Sequence, residues 1–343
     1  MAIAKEEATM RIKNNSGFTL IELLLAIALG MVILAGLFRT FKVQQDSYVI
    51  QDQVSAMQQN LRAAMYMITR DLQMAGYYTN FDRTNRQLDW NDLDGNSNPA
   101  DNMETGRPVI FAVDNRAVSG DGIKDNTDVI VIVKAGAEGR ILAGGEGASG
   151  GVITLSNRRF DSDGEDDLNN TSKRFGLLVK QDLSFADFFM VNSASGSITP
   201  PTPPGGLTEN YTSGDNVYRA DIIIYRVTDD AAHPSLVRKN LGNDTGYQTI
   251  AENIDNLQFR YLLDDGTPNG TWTNDPTGNQ SRVRAVEVFL IGRTAFPQRG
   301  YTDASTYTFG TGGTPESYTP AGDDRKYRRK TLTSIIKTRN IGL

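Results

Sequence analysis

The chain has 343 residues, of which 39% are hydrophobic and 22% are charged, and its formal net charge is −6 at pH 7. This composition is typical of a globular protein, and the negative charge argues against nucleic acid as a partner because polyanion binding needs a basic surface. The sequence contains no cysteine, which excludes disulfides, thiolate metal sites and thiol nucleophiles. Its single histidine, His233, leaves few options for acid–base catalysis, so we predict that the protein is not an enzyme.

The first predicted element is an apolar segment at residues 18–38, FTLIELLLAIALGMVILAGLF. As a helix this segment is about 31 Å long, which matches the ~30 Å hydrocarbon core of a bilayer. Arg11 and Lys13 precede it, so we expect the N-terminal side to stay in the cytoplasm and the rest of the chain to be exported. A secretory signal peptide is disfavoured, since its apolar region spans only ~7–15 residues.

Glu22 is the single charged residue within this apolar segment. A carboxylate in a membrane span costs roughly 2.5–3.5 kcal/mol on insertion scales, so a plain membrane anchor leaves it unexplained. We therefore interpret Glu22 as a functional residue, with a merely tolerated carboxylate as the alternative.

Residues 17–30, GFTLIELLLAIALG, resemble the processing motif of type IV prepilins and type II secretion pseudopilins. The resemblance implies that a membrane-embedded prepilin peptidase cuts after Gly17 and N-methylates Phe18, so that residues 1–17 are a leader peptide that is removed. Cleavage would create an amine on Phe18, one helical turn from the Glu22 carboxylate. Because unpaired charges are costly in apolar surroundings, we expect this pair to guide subunit assembly, with Glu22 as the assembly residue.

The helix is predicted to continue beyond the membrane segment, because no proline occurs between Phe18 and Tyr78. Residues 39–77 are expected to be its amphipathic half, packed against the protein core, and Gly76 is expected to end it. The apolar stripe that indicates this packing has spacings of three and four residues and consists of Val54, Met57, Leu61, Met65, Ile68, Leu72 and Ala75.

After the helix, runs of Val, Ile, Tyr and Phe separated by turn residues predict a β-rich body at residues 78–343. We expect strands at residues 128–134, 151–155, 175–180, 186–191, 216–227, 257–263, 282–291 and 330–339. Residues 250–256 are predicted to form a short helix, and the proline-rich residues 199–206 an exposed stiff loop. The predicted fold class is α+β and pilin-like, with one long N-terminal helix packed on an antiparallel sheet that carries long loop insertions.

The order of these segments is similar to that of the PilW-type minor pilins. The matching segments are LRAAMYMITRDLQMAGYY at residues 61–78, DVIVIV at 128–133, IDNLQFRYLL at 254–263, VRAVEVFLIGRT at 283–294 and RRKTLTSIIKTRN at 328–340. The resemblance implies a structural subunit that, after processing, joins a minor-pilin complex, primes type IV pilus assembly and caps the pilus tip.

The same resemblance implies the partners and the location of the protein. The expected partners are other minor pilins, the major pilin, the prepilin peptidase and N-methyltransferase, the inner-membrane assembly platform and a tip adhesin. Before assembly the chain would cross the inner membrane once, with its globular part in the periplasm, and afterwards it would lie at the pilus tip on the cell surface. A J-type minor pseudopilin of type II secretion is the alternative.

An exported carbohydrate-active enzyme on a membrane anchor is a third hypothesis, since acidic loops can supply pairs of carboxylates. It leaves Gly17, Phe18 and Glu22 unexplained. The G-x-S-x-G pattern at residues 147–151 lies in a glycine-rich stretch, so we expect a hairpin loop there rather than the nucleophile of a serine hydrolase.

Residues 80–170 are strongly acidic, with 17 Asp and Glu against 9 Lys and Arg. Two loops in this region follow the pattern D-x-D-G-x-x-[DN]-x-x-[DN], which puts oxygen atoms at positions 3, 5, 9 and 12 of an EF-hand-like calcium loop. Position 1 lacks an oxygen ligand in both, and neither has a glutamate at position 12, so a solvated acidic turn is the alternative to a calcium cofactor. The candidate calcium ligands are Asp92, Asp94, Asn98 and Asp101 in one loop and Asp161, Asp163, Asp167 and Asn170 in the other.

The C-terminal residues 325–339 are basic, with seven Lys or Arg in fifteen positions. Charged side chains protect exposed strand edges from aggregation, so a solvated strand edge is the expected role. The alternative is an electrostatic contact with a neighbouring subunit.

Overall fold

The structure is a computed structural model of the chain, and it describes residues 17–78, 110–116, 122–149, 152–160, 168, 175–191, 197–198, 207, 209–241, 246–276, 279–310 and 315–341. The chain divides into two compact units, Met1–Asp52 and Gln53–Leu343. Helix α1 (Leu20–Gln73) begins in the first unit and ends in the second. The predicted α+β, pilin-like class is confirmed, since this long apolar helix is followed by antiparallel sheets.

In the first unit, the large apolar side chains of α1 are exposed, from Leu20 at 76% to Val49 at 53%. The most apolar eighteen-residue window of α1 has a mean hydropathy of 2.6, and none of it is buried. By length and composition, α1 is able to cross a bilayer.

In the second unit, α1 buries one face and then stops. Five residues of the predicted stripe are buried in it, together with Ala64 and Asp71 on the same face: Met57, Leu61, Met65, Ile68 and Leu72. The helix ends at Gln73, and Gly76 follows with a φ of +76°, a conformation that L side chains adopt rarely. The Gly76 amide donates a hydrogen bond to the Val133 carbonyl at 2.9 Å, so the predicted terminating glycine also joins the helix end to the sheet.

The described part of the body consists of strands and two short 3-10 helices, Gln280–Arg282 and Gly322–Lys326. The strands are β1 (Ile110–Arg116), β2 (Thr127–Ile141), β3 (Gly147–Ser149), β4 (Val152–Thr154), β5 (Phe175–Val179), β6 (Ala186–Met190), β7 (Ser197–Ile198), β8 (Asn216–Val227), β9 (Ser235–Asn240), β10 (Gln248–Glu252), β11 (Ile254–Leu263), β12 (Thr271–Thr273), β13 (Val283–Arg293), β14 (Tyr307–Phe309), β15 (Glu316–Tyr318) and β16 (Arg329–Lys337).

Within the described residues, these strands form four antiparallel sheets. The largest has seven strands, with β1, β2 and β8 side by side. The other edge of β8 pairs with β5 along its first half and with β9 along its second half. Strand β6 then pairs with β5, and β10 pairs with β9. The second sheet has the order β12-β11-β13-β16. The remaining two are β3-β4-β7 and β14-β15.

The buried stripe of α1 shares one apolar core with the seven-stranded and the four-stranded sheets. Leu61 and Ile68 of the helix pack in a cluster with Ile132 of β2, Tyr225 of β8 and Leu257 of β11. The opposite face of the seven-stranded sheet buries a second cluster, which includes neighbouring residues of β2 and β8. Because β2 and β8 are covered on both faces, they read in the sequence as continuous apolar runs rather than alternating ones.

The structure corrects the prediction of a helix at residues 250–256. Strand β10 ends at Glu252, β11 begins at Ile254, and Asn253 between them has a φ of +57°, which interrupts any helix. Strand β10 pairs with β9, the strand before it, and β11 pairs with β13, and this pairing decides their conformation. The expected loop at residues 147–151 is also partly wrong, since its first three residues form β3, paired with β4. The proline-rich residues 199–206 lie outside the described residues.

Candidate assembly segment and supporting charge networks

The predicted processing site lies directly before α1. Gly17 and Phe18 precede the first helical residue, and the Phe18 side chain is 90% exposed. Apart from Gly17 and its two chain neighbours, no described atom lies within 4 Å of the position that a Cβ on Gly17 would occupy. The backbone at the predicted scissile bond is therefore accessible in the described part of the chain.

Glu22 lies in the first turn of α1 and forms a reciprocal cap with Thr19. The Thr19 amide and hydroxyl donate to Glu22 Oε2 at 2.9 and 2.8 Å, and the Glu22 amide donates to Thr19 Oγ1 at 3.3 Å. These bonds satisfy amides that the first turn of a helix otherwise leaves free, and the helix dipole favours a negative charge at this end. Our sequence prediction missed this role, although the spacing Thr19-x-x-Glu22 is a recognisable capping signal.

Both Thr19 bonds end on the same carboxylate oxygen of Glu22. Within the residues that the structure describes, Glu22 Oε1 accepts no hydrogen bond. The carboxylate therefore combines a local capping role with one oxygen that is available to a further donor.

A buried carboxylate connects the end of α1 to the large sheet. Asp71 is 1% exposed, and its Oδ2 accepts hydrogen bonds from the Tyr225 hydroxyl at 2.6 Å and from Arg238 Nε at 2.9 Å. Burial and the adjacent carboxylate raise the pKa of Tyr225 above its ordinary value, so the phenol keeps its proton and remains the donor. The sequence did not indicate this contact, because the partners are more than 150 residues apart.

A second network is centred on Asp255 at the start of β11. Its side chain is fully buried and accepts hydrogen bonds from Lys124, from Arg329 Nε at 2.6 Å and from the Tyr318 hydroxyl at 2.9 Å. Burial raises the pKa of Asp255, but the positive charges of Lys124 and Arg329 outweigh that effect and lower the pKa to about 2. Asp255 is therefore ionised at neutral pH.

The same network fixes the 3-10 helix Gly322–Lys326. Asp324 lies 2.6 Å from Arg329 Nη2 and accepts a hydrogen bond from Arg293 Nη1 at 2.7 Å. It shares with Asp255 the single proton of the Tyr318 hydroxyl, whose oxygen lies 2.8 Å from Asp324 Oδ2. Asp303 accepts a hydrogen bond from Arg329 Nη1 at 3.3 Å. Strands β11, β13 and β16 and the loops between them are thus joined by buried charges, and the loss of one partner would leave another uncompensated.

Three further carboxylates lie close to one another where β1, β2 and β15 meet. Asp128 is buried and accepts hydrogen bonds from the amides of Asn115 at 2.9 Å and Phe259 at 2.7 Å, while burial raises its pKa. Partial burial and the neighbouring Glu316 raise the pKa of Asp114 to about 6. Asp114 therefore titrates well above the ordinary range of an aspartate.

The candidate calcium ligands remain a prediction. Asp92, Asp94, Asn98, Asp101, Asp161, Asp163, Asp167 and Asn170 all lie outside the described residues. In the described ranges, no group of three or more His, Asp and Glu side chains is arranged to hold a metal ion.

These observations define the class of protein. An exposed apolar helix that continues as an amphipathic helix, and packs there against antiparallel sheets, is the pilin-like arrangement. Residues 12–38 match the family model of the prokaryotic N-terminal methylation motif. Residues 224–340 match the model of type IV pilus-assembly protein W, PilW. The resemblance to PilW-type minor pilins seen in the sequence is therefore confirmed by matches to these two segments of the chain. No curated protein and no solved structure matches the chain.

The region that matches PilW contains most of the Asp255 network. It begins within β8, ends just after β16, and includes Asp255, Arg293, Asp324 and Arg329. Lys124 lies outside it. The two family matches together support a protein of the type IV pilus, and they imply contacts with other pilus components and with the prepilin peptidase.

Proposed function

We propose that the protein is a structural minor pilin that joins a complex of minor pilins, primes assembly of the type IV pilus and stays at its tip. The observation that carries this proposal is that an exposed apolar helix begins with a carboxylate, Glu22, which forms hydrogen bonds with Thr19 in the first turn of α1. The matches to the methylation motif and to PilW support it. The role needs no catalysis by this chain, because the peptidase supplies the chemistry of processing.

The proposed sequence of events begins with insertion into the inner membrane through residues 18–38, with the body in the periplasm. Cleavage after Gly17 then converts the Phe18 nitrogen into an amine, which is methylated. This amine is cationic and lies just before the start of α1, where the helix dipole disfavours a positive charge. It is therefore stabilised by a nearby carboxylate.

Glu22 is suited to supply that carboxylate. Its Oε2 accepts both Thr19 bonds, so Oε1 remains for the amine of the same subunit or of a neighbour. An uncompensated charge costs several kcal/mol in apolar surroundings, whereas a pair of opposite charges costs less. A subunit that enters the assembly in the correct register would satisfy the pair, and one out of register would not.

The partners that we propose are the other minor pilins, the major pilin, the peptidase, the inner-membrane platform and a tip adhesin. The helix half at residues 18–38 would bind other subunits or lipid, since its apolar side chains are exposed.

The test is recovery of the protein from sheared filaments of the native host, followed by intact-mass analysis. We expect a chain that begins at methylated Phe18, in small amounts relative to the major pilin, and a loss of pili when the gene is deleted. Normal pili with a loss of protein secretion would instead identify a J-type pseudopilin of type II secretion. A mature chain that begins within or beyond the apolar segment would contradict both.

A further inference from the structure

A cleft of about 580 Å³ lies on the surface of the body, between the loop at residues 297–302 and the 3-10 helix Gly322–Lys326. Its walls include Gln298, Arg299, Tyr301, Arg325 and Lys326. The volume is within the range of small-ligand pockets, roughly 300–1,000 Å³.

The two walls are connected by hydrogen bonds, so the shape of the cleft is fixed. The Gln298 amide donates to the Lys326 carbonyl at 2.8 Å, and the Asp303 amide donates to the Arg325 carbonyl at 2.7 Å. Behind the 3-10 helix, Asp324 is bound by the buried Arg293 and Arg329. A pre-formed cleft loses little entropy when a ligand binds.

Charges are segregated across this part of the body. Asp303 and Asp324 pair with buried arginines on the inner side, whereas Arg299, Arg325 and Lys326 line the cleft. Within the described residues, Arg299 forms no ion pair or hydrogen bond. Arg325 donates only its Nε, to the Asp303 carbonyl at 3.0 Å, so its two terminal nitrogens have no protein acceptor there.

One carboxylate lies beside the cleft, and it does not neutralise these arginines. Asp323 forms an ion pair with Lys326 at 2.7 Å, and its side chain is 93% exposed. An exposed pair of this kind contributes little binding energy and is readily displaced. The cleft therefore keeps two unpaired guanidinium groups, whose planar donors match a carboxylate.

We propose that this cleft binds an acidic saccharide, with the sugar carboxylate held by Arg299 and Arg325. Pro297 and Tyr301, on whose ring the Arg328 guanidinium already stacks, supply apolar surface for the C–H face of a sugar ring. Thr302 and the side-chain amide nitrogen of Gln298, whose Oε1 already accepts a hydrogen bond from Arg328, supply polar groups for hydroxyls. Arginine clusters also bind acidic peptides, and the test therefore includes an acidic peptide as a competing probe. The proposal goes beyond a role in pilus assembly and does not depend on it.

The test is isothermal titration of the full chain, purified in detergent, with trigalacturonate as the acidic probe and maltotriose as the neutral one. We expect trigalacturonate to bind and maltotriose not to bind. Arg299→Gln and Arg325→Gln should each weaken binding about tenfold, since each removes one charge-assisted contact. Arg325→Lys should weaken it less, because the charge is kept and only the planar donor pair is lost.

Lys330→Gln is the matched control, since Lys330 is an exposed cation on β16 that does not line the cleft. It should leave the affinity unchanged. Because Arg299 has no described contact, Arg299→Gln tests the site without disturbing the fold. The proposal is overturned if trigalacturonate does not bind, if Lys330→Gln weakens binding as much as Arg299→Gln, or if hexaglutamate binds as tightly as trigalacturonate.

Discussion

Asp255 of β11 and Arg329 of β16 are both fully buried, and Arg329 Nε lies 2.6 Å from Asp255 Oδ2. Strand β13 lies between their two strands in the sheet, so this ion pair connects strands that are not neighbours. Lys124 and Tyr318 approach the same carboxylate from other elements. One buried carboxylate thus joins four elements of the body.

We predict that Asp255→Asn destabilises the folded protein by about 3–5 kcal/mol, because it leaves the buried Arg329 without its nearest counter-charge. Chemical denaturation of the detergent-solubilised chain, followed by tryptophan fluorescence, measures this loss. Asp323→Asn is the control, since it removes an aspartate from an exposed ion pair, and it should leave the transition unchanged. Similar curves for the wild type and Asp255→Asn would show that the network contributes no net stability.

The raised pKa of Asp114 predicts how the stability of the folded protein depends on pH. That pKa is raised from 3.8 to about 6 in the folded state, by partial burial and by Glu316, so the folded protein binds this proton more tightly than the unfolded chain does. The resulting stabilisation is complete below the unfolded pKa of 3.8 and is lost as the pH rises through about 6. Asp114→Asn should therefore gain stability relative to the wild type between pH 4 and pH 7.

The measurement for Asp114 is the denaturation midpoint of both proteins across that pH range. Asp125→Asn is a suitable control, because Asp125 is exposed in a neighbouring turn. Its profile should run parallel to that of the wild type. If the Asp114→Asn profile is also parallel, the carboxyl does not titrate in this window.

The third prediction tests whether assembly depends on the charge of Glu22 or only on its hydrogen bonds at the helix start. Glu22→Gln keeps an oxygen acceptor for Thr19 but removes the charge, so insertion and processing should be normal or improved while incorporation into filaments falls sharply. The readout is the amount of mature protein in membranes and in sheared filaments. Asp46→Asn removes a charge further along α1 and should incorporate normally. Normal incorporation of Glu22→Gln would show that Glu22 acts only as a helix cap.

Calcium binding is the fourth prediction and concerns the loop with Asp161, Asp163, Asp167 and Asn170. If the loop binds calcium, the ion stabilises the folded chain, by about 2.7 kcal/mol at a free concentration one hundred times the Kd. The thermal midpoint should then be higher with Ca²⁺ than with chelator, and Asp163→Ala combined with Asp167→Ala should abolish the difference. A shift that survives in the double variant would exclude this loop as the site.

The sequence by itself determined the features that depend on local spacing. The apolar stripe predicted α1, Gly76 predicted its end, and the long apolar runs predicted β2, β8 and β13, because strands covered on both faces are apolar throughout. The motif around Gly17 and Glu22 indicated the pilin class through the spacing of a few residues, and the family matches agree with it.

Only the tertiary structure decided the features that depend on distant partners. Strand β2 pairs with β8, and β13 pairs with β16, although the members of each pair lie far apart in the sequence, so local residue preference does not reveal which strands are neighbours. Asp255 meets Lys124 and Arg329 across 131 and 74 residues of sequence, so no local pattern could indicate their contact. Buried ion pairs of this kind follow from the register of the strands, which long-range pairing sets and local residue preference does not.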